Sequence, residues 1–254
     1  MEMTATNGKI ALVTGGGSGI GLCCAKALAR EGYTVIITGR RYEVLQEALK
    51  QFPQDHVSAI QADVTDPRSV EQLFSSVEQQ FGRLDVLFNN AGMNVRLSSI
   101  EDVAFEDWQA ILATNVTGMF LSMQGAIRLM KKQSPRGGRI INNGSISASV
   151  PRPHQAPYTA TKHAVTGLTK AASLDCRDYD IAVCQIDIGN ASTDMTQKIE
   201  TDGVLQADGS LRREPTMNVE NVARTVCYMA GLPLDANALF VSVLATKMPF
   251  SGRG

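Results

Sequence analysis

Two textures of apolar residues alternate along this chain. Short runs that are apolar at nearly every position, such as KIALVT at 9–14, TVIITG at 34–39 and IAVCQID at 181–187, punctuate longer stretches with apolar residues every three or four positions. A run apolar throughout reads as a strand buried on both faces, and the three-to-four spacing reads as one side of a helix. The pattern predicts a first strand at 9–14, a helix that stops at Gly32, a second strand at 34–39 and a helix near 42–52. A strand at 57–64 and a helix at 67–81 follow, the latter with Val70, Leu73, Phe74, Val77 and Phe81 on one face. Next come a strand at 84–92, a helical stretch from about Glu106 to Lys132, and the stretch Arg139–Ala172, which opens as a strand and closes as a helix of small residues. A strand at 181–187, a polar segment from Asn190 to Met217, a helix at 219–230 and a strand at 238–245 complete the chain. Such alternation predicts an α/β fold, a doubly wound, Rossmann-like parallel sheet with helices on both faces and ligands at the carboxyl ends of its strands. With no repeat or linker, residues 1–254 read as a single domain. The polar segment at 190–217 is either a substrate loop or a surface excursion.

Composition narrows the classes of function. The chain has 254 residues, 44% hydrophobic and 19% charged, with a net charge of -1. That is enough to bury a full core, and nothing basic marks a nucleic-acid partner. The polar start MEMTATNGKIALV does not read as a signal peptide, and no apolar run approaches the roughly 20 residues that cross a bilayer, so a cytoplasmic protein without a membrane partner is expected. Five cysteines without a C-x-x-C pair or a neighbouring His cluster read as buried thiols, neither disulfides nor metal ligands, and no metal site is expected.

Candidate chemistry begins where the first strand meets the first helix. Thr14 to Gly21 reads TGGGSGIG, and here Gly15, Gly17, Ser18, Gly19, Ile20 and Gly21 can bring backbone N–H groups and a helix N-terminus to a pyrophosphate. The spacing fits no register of G-x-G-x-x-G, so its place after the first strand carries the reading. The second strand ends Gly39-Arg40-Arg41. An acidic residue there would accept from a ribose 2′-hydroxyl, whereas a guanidinium forks onto a 2′-phosphate, so NADP(H) is favoured and NAD(H) stays possible. Of the two arginines, Arg41 is the better fit to a solvated start of the next helix. In Arg139–Ala172, Tyr158 and Lys162 stand four apart on one helix face, with Ser145 upstream where the strand gives out. A lone Tyr-x-x-x-Lys is a weak sign of a proton-transfer site.

Taken together these residues resemble the short-chain dehydrogenase/reductase family over nearly the whole chain. The motif T-G-x-x-x-G-x-G is met by Thr14, Gly15, Gly19 and Gly21, and N-N-A-G by Asn89, Asn90, Ala91 and Gly92. Asp63, with Val64 beside it, matches the adenine-contacting Asp, and Asn115 in NVTG matches the family's structural and catalytic Asn. Ser145 precedes Tyr158 by 13 positions, as is usual in the family. The resemblance implies a catalytic tetrad of Asn115, Ser145, Tyr158 and Lys162, with Asn115 holding a water that links Lys162 to solvent. It implies that Gly189 and Thr193 border the nicotinamide, although Ile188 stands where the family commonly has Pro. The tail VSVLATKMPFSGRG also departs from the usual aspartate and paired glycines.

The chemistry follows from the side chains. A phenol is a poor base near neutrality, and an ammonium one turn away favours its phenolate, so Tyr158 reads as the acid/base and Lys162 as its partner. Ser145 would hydrogen-bond the substrate oxygen. The expected function is hydride transfer between NADP(H) and a small-molecule carbonyl or alcohol. The alternatives are 3-oxoacyl-carrier-protein reduction and, in another class, a non-catalytic NADP(H)-binding sensor or scaffold. A small-residue stripe of Ala160, Ala164, Gly167 and Ala171 permits close helix packing, and since the family often pairs this helix across a dimer axis, the resemblance implies a homotetramer or homodimer.

Overall fold

The computed structural model describes residues 8–53, 56–193 and 201–250. The doubly apolar runs form β1 (Ile10–Thr14), β2 (Thr34–Gly39), β3 (Val57–Gln61), β4 (Val86–Asn89), β5 (Gly138–Asn143), β6 (Ile181–Ile188) and, last in the chain, β9 (Phe240–Val243). They lie in one seven-stranded sheet of order β3-β2-β1-β4-β5-β6-β9, every pair parallel. Two further short strands, β7 (Val204–Leu205) and β8 (Leu211–Arg212), make a separate antiparallel hairpin.

At the centre of the sheet both faces are buried. Ala11 and Val13 of β1 pack with Cys24 and Leu28 of α1 (Gly19–Arg30) and with Val222 and Val226 of α7 (Glu220–Gly231). Ile10 and Leu12, between them in sequence, pack on the other side with Val70, Leu73 and Val77 of α3 (Pro67–Phe81) and with Met123 and Met130 of α5 (Met119–Lys132). Alternate side chains point to opposite faces, so a strand covered twice must be apolar at every position. Each fully buried aliphatic side chain contributes about 1.5–3 kcal/mol.

Local signals fix some helix bounds and not others. α3 starts on Asp66, whose carboxylate accepts from Arg68 N at 3.0 Å, has Pro67 in its first turn and stops at Gly82 with φ 73°. In contrast, α2 (Tyr42–Leu49) ends three residues short of the expected Phe52. Its end tightens into turns, Gln51 N to Ala48 O at 3.0 Å and Phe52 N to Leu49 O at 3.1 Å. Pro53 disfavours helical geometry at Phe52.

The helical stretch expected from about 106 to 132 is one 28-residue helix, Phe105–Lys132. Within it, a wide π turn at Ala113–Gly118 separates α4 (Phe105–Leu112) from α5. By length and composition it could cross a membrane, with a mean hydropathy of 1.3 in its apolar window, which corrects the expectation that no stretch would reach that length. Polar Gln109, Thr114 and Asn115 interrupt its apolar run and hid it from a count of consecutive residues. Here Met123, Ala126 and Met130 of this helix are buried in the core. α6 (Ala156–Asp175) covers the same sheet face through Ala172 and Leu168.

Candidate active site

β1 has β2 on one side and β4 on the other, and at this reversal of strand order the carboxyl ends open a crevice. A cavity of about 530 Å³ fills it. Gly15, Gly17, Ser18, Gly19, Ile20 and Gly21 line the phosphate end. Ser18 is the N-cap of α1 but makes no side-chain cap bond, which leaves the first N–H groups of the helix for an anion. Gly19 holds φ +52°, a left-handed geometry that suits glycine, and a Cβ there would meet only Thr193 Cγ2, 4.0 Å away. The floor is therefore bare backbone, as a pyrophosphate requires. Thr14 fastens it to the next strand: its Oγ1 accepts from Asn90 N and Ala91 N, both at 2.9 Å, and Asn90 Nδ2 donates to Thr14 O at 3.0 Å. Asn90, Ala91 and Gly92 thereby form one wall.

At the adenosine end the cavity meets Gly39, Arg40 and Arg41 from β2, and Asp63 and Val64 beyond β3. Gln61 Nε2 donates to Arg40 O at 2.8 Å and pins that backbone. Arg41 borders the cavity as Arg40 does, and it is also the exposed N-cap of α2, as expected of a solvated helix start. Asp63 is held in a tight turn, its Oδ1 accepting from Thr65 N at 2.9 Å and Thr65 Oγ1 at 2.7 Å.

The remaining wall carries Asn115, Tyr158, Lys162, Gly189 and Thr193. Lys162 Nζ donates to Asn143 O at 2.8 Å and lies 5.5 Å from the centre of the Tyr158 ring, so the four-residue spacing does place both on one face. Asn115, in the π turn, forms a peptide-like pair with Met93: Met93 N donates to its Oδ1 at 2.8 Å and its Nδ2 donates to Met93 O at 2.9 Å. A third contact reaches Thr161 Oγ1 on α6 at 3.3 Å. The side chain of Asn115 is thus committed to joining three elements.

Ser145, 6% exposed, directly follows the lining residues Asn143 and Gly144 in the chain. Its N donates to Asp187 Oδ1 at 3.0 Å, and its Oγ accepts from Ser147 N at 3.1 Å, which keeps the hydroxyl proton for another acceptor. Asp187 and Gln185 were missed in the sequence. The signal was there: two polar residues, two apart, on one face of an otherwise apolar strand.

Both departures from the family pattern meet at one place. With Ile in place of Pro at 188, β6 stays paired with β9 through Ile188 and Val243, and Gly189 N donates to Val243 O at 2.9 Å. The tail folds back on this point. A Cβ on Gly189 would stand 2.6 Å from Leu244 Cβ and 2.7 Å from Met248 Sδ, and Met248 packs with Ile146 and Met217. The polar segment begins here, its residues 194–200 lying outside those described. Its two ends are tied together, Met217 N to Asn190 O and Ser192 N to Met217 O, both at 2.8 Å.

Comparison with known proteins agrees with this geometry. Residues 9–203 match the family described as short chain dehydrogenase. A gluconate 5-dehydrogenase of Gluconobacter oxydans (strain 621H) is 37% identical over 204 residues, 79% of this chain and 78% of that one. An NADP-dependent (R)-specific alcohol dehydrogenase of Lentilactobacillus kefiri is 37% identical over 196 residues, 76% of this chain and 77% of that one. Among solved structures, the 3-ketoacyl-(acyl-carrier-protein) reductase of Brucella melitensis complexed with NADH superposes with a TM-score of 0.83 at 27% identity, covering 94% of this chain and 98% of that one. With the phosphate floor and the Tyr158–Lys162 wall in one crevice, the chain belongs to the short chain dehydrogenase family and is an oxidoreductase that uses a nicotinamide cofactor.

Proposed function

We propose that this protein moves hydride between NADP(H), in preference to NAD(H), and a carbonyl or alcohol group of a small molecule, with Asn115, Ser145, Tyr158 and Lys162 as its catalytic residues. The observation that carries the reading is the placing of Tyr158 and Lys162 on the wall of the cavity whose floor is the glycine turn. The nicotinamide, when bound, supplies or takes the hydride. The protein must then supply the proton and the geometry. Tyr158 donates a proton to the substrate oxygen in reduction and removes it in oxidation. Lys162, fixed by Asn143 O, brings a positive charge beside the phenol. Ser145, whose Oγ already accepts from Ser147 N, is oriented to donate its hydroxyl proton to the substrate oxygen. Asn115, whose side chain holds Met93 and Thr161, would hold the water that links Lys162 to solvent.

Arg40 and Arg41, with no carboxylate at the end of β2, support the preference for a 2′-phosphate. The segment 190–217, rooted beside Gly189, is the substrate loop of a single domain. Free buried thiols at all five cysteines suit a reducing, cytoplasmic setting. Large apolar side chains exposed on α4, α5 and α6 support a dimer or tetramer. A second reading, reduction of a 3-oxoacyl thioester on a carrier protein, is favoured by the likeness to the Brucella enzyme.

Tyr158→Phe tests the assignment, because it removes one hydroxyl and little volume. NADPH oxidation on a broad carbonyl panel falls by about 10²–10⁴-fold or more, while NADPH binding measured by fluorescence is nearly unchanged. Equal turnover in the variant would sink the assignment. NADPH binding by the wild-type protein without turnover on any panel member would favour the sensor or scaffold.

A further inference from the structure

A buried polar side chain on a central strand costs free energy unless partners satisfy it. β6 is apolar toward α7, where Cys184 and Ile186 pack. Its opposite face begins with Ile181 and Val183 and continues with Gln185 and Asp187. Gln185 is fully buried, and its Nε2 donates to Asp187 Oδ1 at 2.7 Å and to Thr166 Oγ1 at 3.0 Å. Its Oε1 lies 3.1 Å from Thr169 Oγ1, which also accepts from Asn142 Nδ2 at 2.9 Å. Thr166 and Thr169 belong to α6, about one and two turns beyond Lys162. Asp187 Oδ1 then accepts from Ser145 N.

The helix that carries Tyr158 and Lys162 is thus joined to Ser145 through two side chains of β6. Space for this connection is made at Gly144, where a Cβ would stand 2.2 Å from Asp187 Oδ1 and 2.6 Å from Gln185 Nε2. The Gly-Ser at the end of β5 and the Gln-x-Asp of β6 are therefore complementary.

We propose that Asp187, held by Gln185, is a positioning residue that fixes where Ser145 stands relative to Tyr158 and Lys162. It rests on the reading of Ser145 as a donor to the substrate oxygen. Both N–H groups converge on one oxygen, Oδ1, so the site requires an acceptor at that point, and an amide oxygen serves as well as a carboxylate. A shift of about 1 Å in such a group can cost about 10²-fold in rate.

The test compares kcat, KM and NADPH binding for wild type, Asp187→Asn, Asp187→Ala, Ser145→Ala and the Ser145→Ala/Asp187→Ala double variant on the best carbonyl substrate of the panel. Asp187→Asn keeps kcat within about 2-fold of wild type. Asp187→Ala lowers kcat by about 10- to 100-fold with NADPH binding unchanged. In the Ser145→Ala background the same substitution adds less than about 2-fold, because the group it positions is gone. A full multiplicative loss in the double variant, or wild-type kcat in Asp187→Ala, overturns the proposal while leaving the serine reading intact. Wild-type turnover in Ser145→Ala overturns the serine reading and the proposal with it. Should Asp187→Ala fail to fold, Asp187→Asn decides alone, since a loss of about 10-fold or more there shows that an acceptor is not what the site needs.

Discussion

Asp187 carries a charge that its surroundings oppose. Burial pushes its carboxyl above the usual range, against the bonds from Gln185 and Ser145 N and the charge of Lys162. A carboxyl raised in the folded state contributes stability below its unfolded value and loses it as pH rises through the folded value. Asp187→Asn removes that loss, so its melting temperature exceeds that of wild type near neutrality and the excess vanishes as pH falls through the carboxylate range. Thermal melts between about pH 4 and pH 7 check this, and a pH-independent difference would refute it. At the other end of the crevice, Arg40→Asp shifts the kcat/KM preference from NADP toward NAD, because it exchanges a phosphate partner for a ribose-hydroxyl acceptor. Unchanged relative KM values for the two cofactors would count against it. The phosphate turn was legible at this scale because its contacts are local to Thr14–Gly21. Gln185 and Asp187 were not, since their partners lie on β5 and α6, far along the chain.

Among the elements, the segment 190–217 is fastened more firmly than its polar composition indicates. Arg152, in the loop before α6, is paired with Glu214, their side chains 11% and 1% exposed. Glu214 also accepts from Asn190 Nδ2 at 2.8 Å and Gln206 Nε2 at 3.0 Å, and Arg152 donates to Asn190 Oδ1 at 3.0 Å. Removing the carboxylate takes away one charged partner of a largely buried guanidinium, which is destabilising. Glu214→Ala therefore melts earlier and is cut faster by protease within 201–213; an unchanged melting curve would rule out this role for the pair. α3 could be bounded from sequence because Asp66, Pro67 and Gly82 act within a turn of its ends. The π turn at Ala113–Gly118 could not, because it follows from Asn115 reaching across to Met93 and Thr161.

For the whole molecule, assembly is set by its surface. Phe105, Phe120 and Leu174, on α4, α5 and α6, are 65%, 44% and 57% exposed. If these side chains join in one patch, that patch marks a contact with another chain. Light scattering is therefore expected to give two or four times the 27.3 kDa of one chain, and the monomer mass would overturn the expectation. A charged residue at Phe120 should lower that mass without changing NADPH binding, since the phosphate floor lies at β1 and α1.

The sequence by itself determined the parallel sheet, because a strand covered on both faces must be apolar throughout, and it determined the phosphate cradle and the Tyr158–Lys162 face, because both depend on spacing within one element. Tertiary structure decided how these parts meet. It brought Arg41 beside Arg40 at the cavity, folded the unusual tail against Gly189, and held Ser145 by a hydrogen bond from its N to Asp187. Each of these depends on contacts between residues distant in the chain, which no local pattern encodes.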